Sequence, residues 1–383
     1  MAAGPQYNLD YQMNLLFITG TRADYGKIKI LIEAARDTEQ YNASIFVTGM
    51  HMLSLYGSTH EEVSSNHAHD IPIYSFINQN LTSTMDEVLS KTVLGLSDYV
   101  KENRPDYIVI HGDRVETLAS VIVASLNNIP SIHIEGGEVS GTVDEMIRHS
   151  VSKLATFHCV SNTEAKSRLL QMGESEENIS VIGSPDVDVM LSDSLPDINE
   201  VKRHYGINFD EYGVLLFHPV TTEVDKIYDQ INIIIEGIKR TNINFVAIYP
   251  NNDLGSNYII TAYSELSENF RVIPSMRFEY FITLLKDAKL IIGNSSAGVR
   301  EAPYFGVPTV NVGSRQNERC DALSVINVDF DADKIEQNTN QLYNSTFSES
   351  ENFGGSGTSK RFMRALIDFQ ILGTSTQKIF VNR

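Results

Sequence analysis

Three carboxylates lie within one stretch of the chain, residues 111–150, where short apolar runs end in charged and glycine-rich segments. Asp113 and Glu135 each follow an apolar run with strand character, and Asp144 comes soon after them. Parallel strands bring their carboxyl ends to one crevice, so we expect the three acids to converge. Packed carboxylates cannot all ionise freely, and at least one should hold a proton. The pattern predicts acid–base chemistry. The alternative is structural pairing with basic neighbours, namely Arg114, Arg148 and His149.

A second candidate is the segment GNSSAGVRE, residues 293–301, which joins a predicted strand to a helix expected to begin near Ser296. Free backbone N–H groups and the helix dipole at such a start suit a diphosphate. The hydroxyls of Ser295 and Ser296 add donors, and Glu301 is placed to accept hydrogen bonds from a ribose diol. Ordinary N-capping by serine is the alternative.

Arginines follow strand-plus-glycine turns at three places, Arg22, Arg114 and Arg315, and we expect all three in the same cleft. Planar guanidinium groups bind phosphate in bidentate fashion. The alternative for each is a surface salt bridge. Further candidates for the same ligand are Lys27, His218 and Asn251.

The strands and helices that position these residues are predicted from alternating strand and helix patterns. Continuous apolar runs at 14–19 and 214–217 are typical of strands buried on both faces of a parallel sheet. A polar segment with Pro196, residues 192–200, separates two such series. The sequence therefore predicts an α/β protein with two doubly wound, Rossmann-like domains facing a cleft. We place an extension or tag at 1–12, the first domain at 13–191, the second at 201–358, and a terminal helix and tail at 359–383.

Composition narrows the possible partners. The chain has 383 residues, a net charge of −19 and a pI near 4.9, which argue for two domains and against a nucleic-acid or anionic-membrane partner. No apolar run approaches the ~18 residues of a membrane-spanning helix. Cys159 and Cys320 lack metal-ligand spacing and fit a reducing cytoplasm. We expect no metal and no cofactor.

Nine short motifs, taken in order, resemble those of the hydrolysing UDP-N-acetylglucosamine 2-epimerases. They are TRADYGK, VTGMH, HGDR, HIEGGEVSGTVDEMIRHS, GSPD, HPVTT, YPNND, GNSSAGVREAP and GSRQ. The resemblance extends from about Met13 to the final helix. More narrowly, the chain resembles the bacterial sialic-acid and capsule-pathway enzymes of that group and the epimerase half of the bifunctional animal enzyme.

The resemblance implies a glycosyltransferase-B-like fold, a UDP-sugar substrate and a homodimer or homotetramer. It implies UDP contacts from the second domain at His218, Asn251, Ser295, Ser296, Glu301 and Arg315, with Arg22 and Arg114 closing from the first. It assigns the sugar to Asp113, Glu135 and Asp144. Family members often carry a serine after the position of Tyr25; here the residue is Gly26, so any contact there must come from the backbone.

The implied reaction has a physical logic. The hydrogen on the acetamido-bearing carbon is not acidic, so the bond to UDP must stretch first and give a cation-like sugar. A carboxylate then removes the proton to leave a glycal, and water adds to give N-acetylmannosamine. We hypothesise that Asp113 and Glu135 share the first proton transfers and that Asp144 positions or activates water. Four alternatives stay open: a UDP-2,4-diacetamido-2,4,6-trideoxyglucose substrate of legionaminic-acid synthesis, a non-hydrolysing epimerase, a glycosyltransferase, and a non-catalytic sensor.

Overall fold

The computed structural model describes residues 12–67, 69–316, 319, 322–350, 353–372 and 378–382. Most of the predicted extension and Cys320 lie outside these ranges. In the part that is described, the chain forms two parallel sheets with helices on both faces of each. The predicted α/β class with two doubly wound domains is confirmed.

The first sheet has seven described strands in the order β3-β2-β1-β4-β5-β6-β7. Its strands are β1 (Met13–Thr19), β2 (Tyr41–Val47), β3 (Ile73–Ser75), β4 (Tyr107–His111), β5 (Ser131–Ile134), β6 (Phe157–Val160) and β7 (Ile179–Val181). Its helices are α1 (Arg22–Arg36), α2 (His60–His67), α3 (Met85–Glu102), α4 (Val115–Leu126), α5 (Thr142–Leu154), α6 (Thr163–Gln171) and α7 (Pro185–Met190). The strand order reverses between β1 and β4, which opens a crevice at their carboxyl ends.

The second sheet repeats this plan with six described strands in the order β10-β9-β8-β11-β12-β13. Its strands are β8 (Gly213–Leu216), β9 (Phe245–Ile248), β10 (Phe270–Ile273), β11 (Leu290–Gly293), β12 (Thr309–Val312) and β13 (Val325–Val328). The remaining helices are α8 (Ile198–Tyr205), α9 (Ile227–Lys239), α10 (Ser256–Ser264), α11 (Phe278–Asp287), α12 (Glu301–Tyr304), α13 (Ala332–Tyr343) and α14 (Thr358–Leu372). Its reversal point lies between β8 and β11.

The chain passes between the domains at two places. Val187 and Met190 of α7 pack into the core of the second domain. The last helix, α14, returns to the first domain, where Phe369 stacks on Phe157 with ring centroids 4.3 Å apart. Helix α7 therefore completes the core of the second domain, and the terminal helix completes the core of the first.

Two local expectations from the sequence were wrong. The helix expected near Ser296 is one 3₁₀ turn, Ser296–Gly298, followed by the four-residue α12. Pro303 disfavours a longer helix, and Gly306 ends this one with a φ of +63°. Helix α8 begins at Ile198, inside the predicted linker, because the Asp197 carboxylate caps its first turn.

A search of the described helices finds no span with the length and hydropathy needed to cross a membrane.

Candidate active site

The turns after β1 and β4 begin the site, because they lie side by side where the first sheet reverses. Thr21 caps α1 in a capping box with Asp24, which fixes the turn that carries Arg22. Gly112 ends β4 with a φ of +73° and turns the chain so that Asp113 enters the crevice.

Asp113 is held ionised by a buried arginine. Its Oδ2 pairs closely with the Arg148 guanidinium and accepts a hydrogen bond from Ser140 Oγ at 2.8 Å. Burial alone would favour the protonated acid, but the charge of Arg148 and the Ser140 hydroxyl lower the pKa of Asp113 below its usual range. The pairing with Arg148 that we weighed as an alternative is therefore present, and it occurs inside the crevice.

Glu135 is the most enclosed of the three acids. It follows β5 with a φ of +60°, a left-handed backbone that is costly for a residue other than glycine and is found mostly at functional sites. Its carboxylate lies 2.6 Å from Arg300 Nη2, 3.1 Å from His111 Nε2 and 4.0 Å from Lys27 Nζ. Burial opposes ionisation, yet the charges of Arg300 and Lys27 lower the pKa of Glu135 well below its usual value.

Asp144 differs from the other two acids. It lies in the first turn of α5 and pairs with Arg315 Nη2 of the second domain at 3.2 Å. Burial and the negative charge of Asp113 raise the pKa of Asp144 to about 6, with Arg315 opposing the rise. A carboxyl group with this pKa exchanges protons readily near neutral pH.

Lys27 lies among carboxylates from both domains. Its Nζ is 2.8 Å from Asp186 and 3.3 Å from Glu301, besides its longer approach to Glu135. Burial would lower the pKa of Lys27, but the surrounding acids raise it overall, so the ammonium stays charged. Glu301 Oε2 is buried and has no hydrogen-bond partner among the described residues.

Arg22 and Arg114 both reach from the first domain to the second. Arg22 pairs with Glu62 at 2.6 Å and donates to Ser275 Oγ at 2.8 Å. Arg114 lies 3.2 Å from Asp253 of the second domain. Both arginines therefore form salt bridges, which was the alternative to phosphate binding, and both also lie in the cleft.

His218 follows β8 and is buried and neutral. Its Nδ1 accepts a hydrogen bond from the Asn251 backbone N–H at 3.1 Å, so in the neutral ring the proton resides on Nε2 and is free to be donated. Burial, reinforced by Arg315 and Arg114, lowers the pKa of His218 well below its usual value. Asn294 fixes the turn by hydrogen bonding to both backbone groups of His218, at 2.7 and 2.9 Å.

The segment after β11 forms the opposing wall. Gly293 has a φ of +134°, and a Cβ there would lie 2.1 Å from the Leu216 carbonyl oxygen, so only glycine fits. Ser295 Oγ accepts from Ala297 N–H at 3.3 Å, which is the N-capping alternative. Ser296 lines the cleft, and Arg315 crosses behind it to donate to the Asn294 carbonyl at 3.0 Å.

Two adjoining cavities between the domains contain every predicted site residue. The first, which we call the nucleotide-side cavity because it collects most of the residues expected to contact UDP, has a volume of about 210 Å³. It is lined by Arg22, Lys27, His218, Asn251, Ser295, Ser296, Glu301 and Arg315 among others. The acid cavity, of about 140 Å³, is lined by Asp113, Glu135, Asp144, Arg114, Lys27, Asn251, Ser296 and Arg315 among others. The shared lining makes them two parts of one cleft, one rich in cationic and hydroxyl donors and one rich in acids.

Sequence reasoning missed several side chains of this cleft. Arg300 lies in the segment 293–301 but was not among the predicted site residues, although its guanidinium contacts Glu135. Asp186, Ser184 and His111 were not singled out, although each lies within contact distance of Lys27, Arg300 or Glu135. These residues lie in the motifs HGDR, GSPD and VREAP. Considering every polar or charged residue in the segments that follow strands would have included them. Among the described residues, no cluster of His, Cys, Asp and Glu is arranged to hold a metal ion.

The packing of the two domains across the cleft also explains why residue 26 is a glycine. This glycine lies on α1 against Phe278 of α11, and a Cβ there would lie 2.3 Å from the Phe278 Cβ. A serine therefore does not fit at this position while the domains are packed as observed. Phe278 itself lines the nucleotide-side cavity.

Comparisons with known proteins bear on the fold and the family. A family model described as UDP-N-acetylglucosamine 2-epimerase matches residues 33–367. The UDP-N-acetylglucosamine 2-epimerase of Neisseria meningitidis serogroup B is 42% identical over 374 residues, covering 96% of this chain and 98% of that protein. The UDP-N,N'-diacetylbacillosamine 2-epimerase (hydrolyzing) of Legionella pneumophila is 36% identical over 92% of this chain and 95% of its own length.

Among solved structures, a UDP-GlcNAc 2-epimerase from Neisseria meningitidis bound to UDP-GlcNAc superposes with a TM-score of 0.78. It covers 93% of this chain and 100% of that chain at 19% identity, a level at which the likeness bears on the fold.

Proposed function

This chain belongs to the UDP-N-acetylglucosamine 2-epimerase family, and on that premise we propose that it is a hydrolysing member, which converts UDP-N-acetylglucosamine to UDP and free N-acetylmannosamine. The observation that carries the proposal is the placement of Asp113, Glu135 and Asp144 in one cavity that opens directly into the donor-rich nucleotide-side cavity. Support for hydrolysis comes from the Legionella relative, whose name includes it.

UDP occupies the nucleotide-side cavity in this proposal. Its diphosphate lies against Ser295 and Ser296, within reach of Arg22 and Arg315, which supply charge-assisted hydrogen bonds. The unpartnered Oε2 of Glu301 accepts from the ribose hydroxyls. His218 Nε2–H donates to a phosphate oxygen. Asn251, which also lines this cavity, is placed to contact the edge of the base or the first phosphate.

The first bond to break joins the anomeric carbon to the UDP oxygen, and its electron pair leaves with UDP. Arginine and serine donors are placed to stabilise the developing negative charge on the leaving diphosphate. Asp113 and Glu135 stay ionised, because Arg148 and Arg300 hold them so, and they stabilise the positive charge on the sugar. Both charges of the transition state are thus met by fixed groups.

Asp144 then removes the proton from the acetamido-bearing carbon, which gives the glycal and protonated Asp144. Water then adds its oxygen to the anomeric carbon and releases one proton to solvent, while the neighbouring carbon takes a proton from solvent on the face opposite Asp144, which yields the manno sugar. Asp144 afterwards returns its own proton to solvent. This assignment revises the hypothesis made from the sequence, in which Asp113 and Glu135 carried the protons. The reason is that carboxylates paired with buried arginines are poor proton acceptors, whereas Asp144 has a pKa of about 6.

The test is product analysis by NMR after incubation of the protein with UDP-N-acetylglucosamine in deuterated water. We expect UDP and free N-acetylmannosamine with deuterium on the acetamido-bearing carbon. UDP-N-acetylmannosamine as the product would favour the non-hydrolysing alternative, and a product that forms only with an added acceptor would favour a glycosyltransferase. Binding of the sugar nucleotide without any turnover would overturn the enzymatic proposal.

A second substrate is favoured by one comparison. The Legionella relative acts, by its name, on UDP-N,N'-diacetylbacillosamine, and it matches nearly the whole chain. The same incubation with UDP-2,4-diacetamido-2,4,6-trideoxyglucose separates the two substrates by their relative kcat/KM. A preference for N-acetylglucosamine fits a role in sialic-acid synthesis.

We also propose that the protein is a cytoplasmic homodimer or homotetramer. Light scattering would measure the mass of the assembly.

A further inference from the structure

Arg300 connects the two domains through the acid cavity. It precedes α12 in the second domain, and its side chain is only 3% exposed. Its Nη2 lies 2.6 Å from Glu135 Oε1 and 2.6 Å from Ser184 Oγ, both in the first domain, and its Nη1 pairs with Glu138. One guanidinium group thus contacts three side chains across the domain boundary.

The guanidinium group is held in one orientation from its other face. Its Cζ lies 4.3 Å from the centroid of the Phe353 ring, a cation–π contact that also keeps water out. The Phe353 carbonyl in turn accepts from Ser184 N–H at 3.0 Å. A planar, forked group fits this slot between ring and carboxylates, whereas the ammonium of lysine offers neither the stacking face nor the fork.

We propose that Arg300 is a positioning residue for the reaction: it reaches from the nucleotide-binding domain into the acid cavity and keeps the Glu135 carboxylate charged and fixed. This inference rests on the proposed function, in which a charged Glu135 stabilises the sugar cation. Arg300 lines the acid cavity and is not part of the nucleotide-side lining, so its effect should fall on chemistry and not on UDP affinity.

The other groups around Glu135 are weaker substitutes for Arg300. Lys27 is 4.0 Å away and lies nearer to Asp186 and Glu301, so its charge is already shared. Asp186 contributes a like charge, 3.5 Å from Arg300 Nη2.

The remaining neighbours do not replace that cation either. His111 approaches to 3.1 Å, and a histidine is charged only when protonated. Ser184 Oγ pairs closely with the Glu135 carboxylate and is neutral. Arg148 donates to the backbone carbonyl of Glu135 at 2.6 Å and leaves the carboxylate untouched. Without Arg300, a buried carboxylate surrounded this way should take up a proton near neutral pH.

The experiment compares Arg300→Met and Arg300→Lys with wild type, and uses Lys29→Met as the matched control. Lys29 also forms an ion pair between the domains, with Glu279 at 3.2 Å, but lies at the partly exposed edge of the boundary and outside both cavities. The measurements are the pH dependence of kcat and the Kd for UDP by calorimetry.

For Arg300→Met we expect the acid limb of the kcat profile to move up by at least one pH unit. At pH 7 kcat should fall more than tenfold, while Kd for UDP changes less than threefold. Arg300→Lys should restore at least half of the pH shift, and Lys29→Met should behave as wild type. An unmoved acid limb, or a UDP affinity that falls in parallel with kcat, would overturn the inference.

A measurement that needs no turnover distinguishes failure of this inference from failure of the proposed function. Carboxyl ¹³C NMR of protein labelled at glutamate, with the Glu135 signal identified by its loss in Glu135→Gln, reports the charge directly. We expect no titration of Glu135 between pH 5 and 8 in wild type and clear titration in Arg300→Met. If Arg300→Met does not fold, the neutral but polar Arg300→Gln carries the same comparison, and an identical Glu135 titration curve in that variant and wild type overturns the inference.

Discussion

The Arg315 guanidinium lies 3.2 Å from the Asp144 carboxylate and also donates to the Asn294 carbonyl at 3.0 Å. One side chain of the second domain therefore joins Asp144 to the segment after β11. In the proposed mechanism this contact would couple the protonation of Asp144 to the departure of UDP. The pH dependence of the reaction should report it.

We expect kcat/KM to fall as the pH is lowered through about 6. Asp144 must be ionised to accept a proton, and burial with the nearby Asp113 raises its pKa to about 6, so activity is present above that pH and lost below it. The measurement is UDP release from pH 5 to 8 by the wild type. A profile that stays flat down to pH 5 would contradict the assigned role of Asp144.

Amide substitution of each cleft acid should slow turnover strongly. Asp113→Asn, Glu135→Gln and Asp144→Asn remove a cation stabiliser or a base, and we expect kcat to fall by roughly 10²–10⁴. Asp98→Asn, on the exposed face of α3, is the matched control and should keep wild-type turnover. Near-normal UDP release from all three cleft variants would remove the mechanism.

Gly26→Ser should impair substrate binding and leave the fold intact. A Cβ at this helix position would lie 2.3 Å from Phe278 Cβ, so the two domains cannot pack as observed. We expect KM to rise at least tenfold, and Phe278→Gly in the same chain, which removes the clashing Cβ, to restore part of the affinity. Gly355→Ala, where a Cβ meets nothing within 4 Å, is the control. Wild-type KM in Gly26→Ser would show that the Phe278 contact does not govern binding.

Lys378→Met should destabilise the protein. Lys378 Nζ lies 2.5 Å from the buried Glu174 and donates to the Ser152 and Ala155 carbonyls at 2.9 and 2.7 Å, which anchors the tail on α5. Losing these contacts should cost about 1–3 kcal/mol in urea unfolding at pH 7. The exposed Lys360→Met is the control, and equal stability of the two variants would refute the anchor.

The Glu174 cluster should also weaken in acid. Burial would raise the pKa of Glu174, but hydrogen bonding to His158 and the charges of Lys378 and Lys153 lower it to about 2. A lowered carboxylate pKa means that the cluster's contribution is full above about 4.5 and is lost as the pH falls toward 2. Urea unfolding of wild type and Lys378→Met should therefore give stabilities that converge over that range.

The sequence predicted the elements whose residues are close neighbours along the chain. Strands β1 and β8 lie within one residue of the apolar runs at 14–19 and 214–217 that predicted them. The site residues after β1, β4, β5 and β11 were found because parallel strands put their carboxyl ends together, a rule that needs no distant contact. Strand β10 carries only short apolar runs between polar residues, so its pattern was not recognised.

The parts that the sequence did not predict depend on contacts between distant segments. Arg300 reads as an ordinary helix residue until the fold places Glu135 and Phe353 on either side of it. The pKa of Asp144 likewise depends on Asp113, a residue on another element. Which carboxylate carries the proton is therefore decided by tertiary placement, and the motifs alone assigned it differently.

The return of α14 to the first domain has a consequence for anyone who divides the gene. A fragment that stops before residue 353 would leave Phe157 without the Phe369 ring that covers it, and a fragment that starts after α7 would lack Val187 and Met190. Each half would therefore lack part of its own hydrophobic core. Co-expressed halves should recover activity only when the first is supplied with the terminal helix, in trans or by circular permutation.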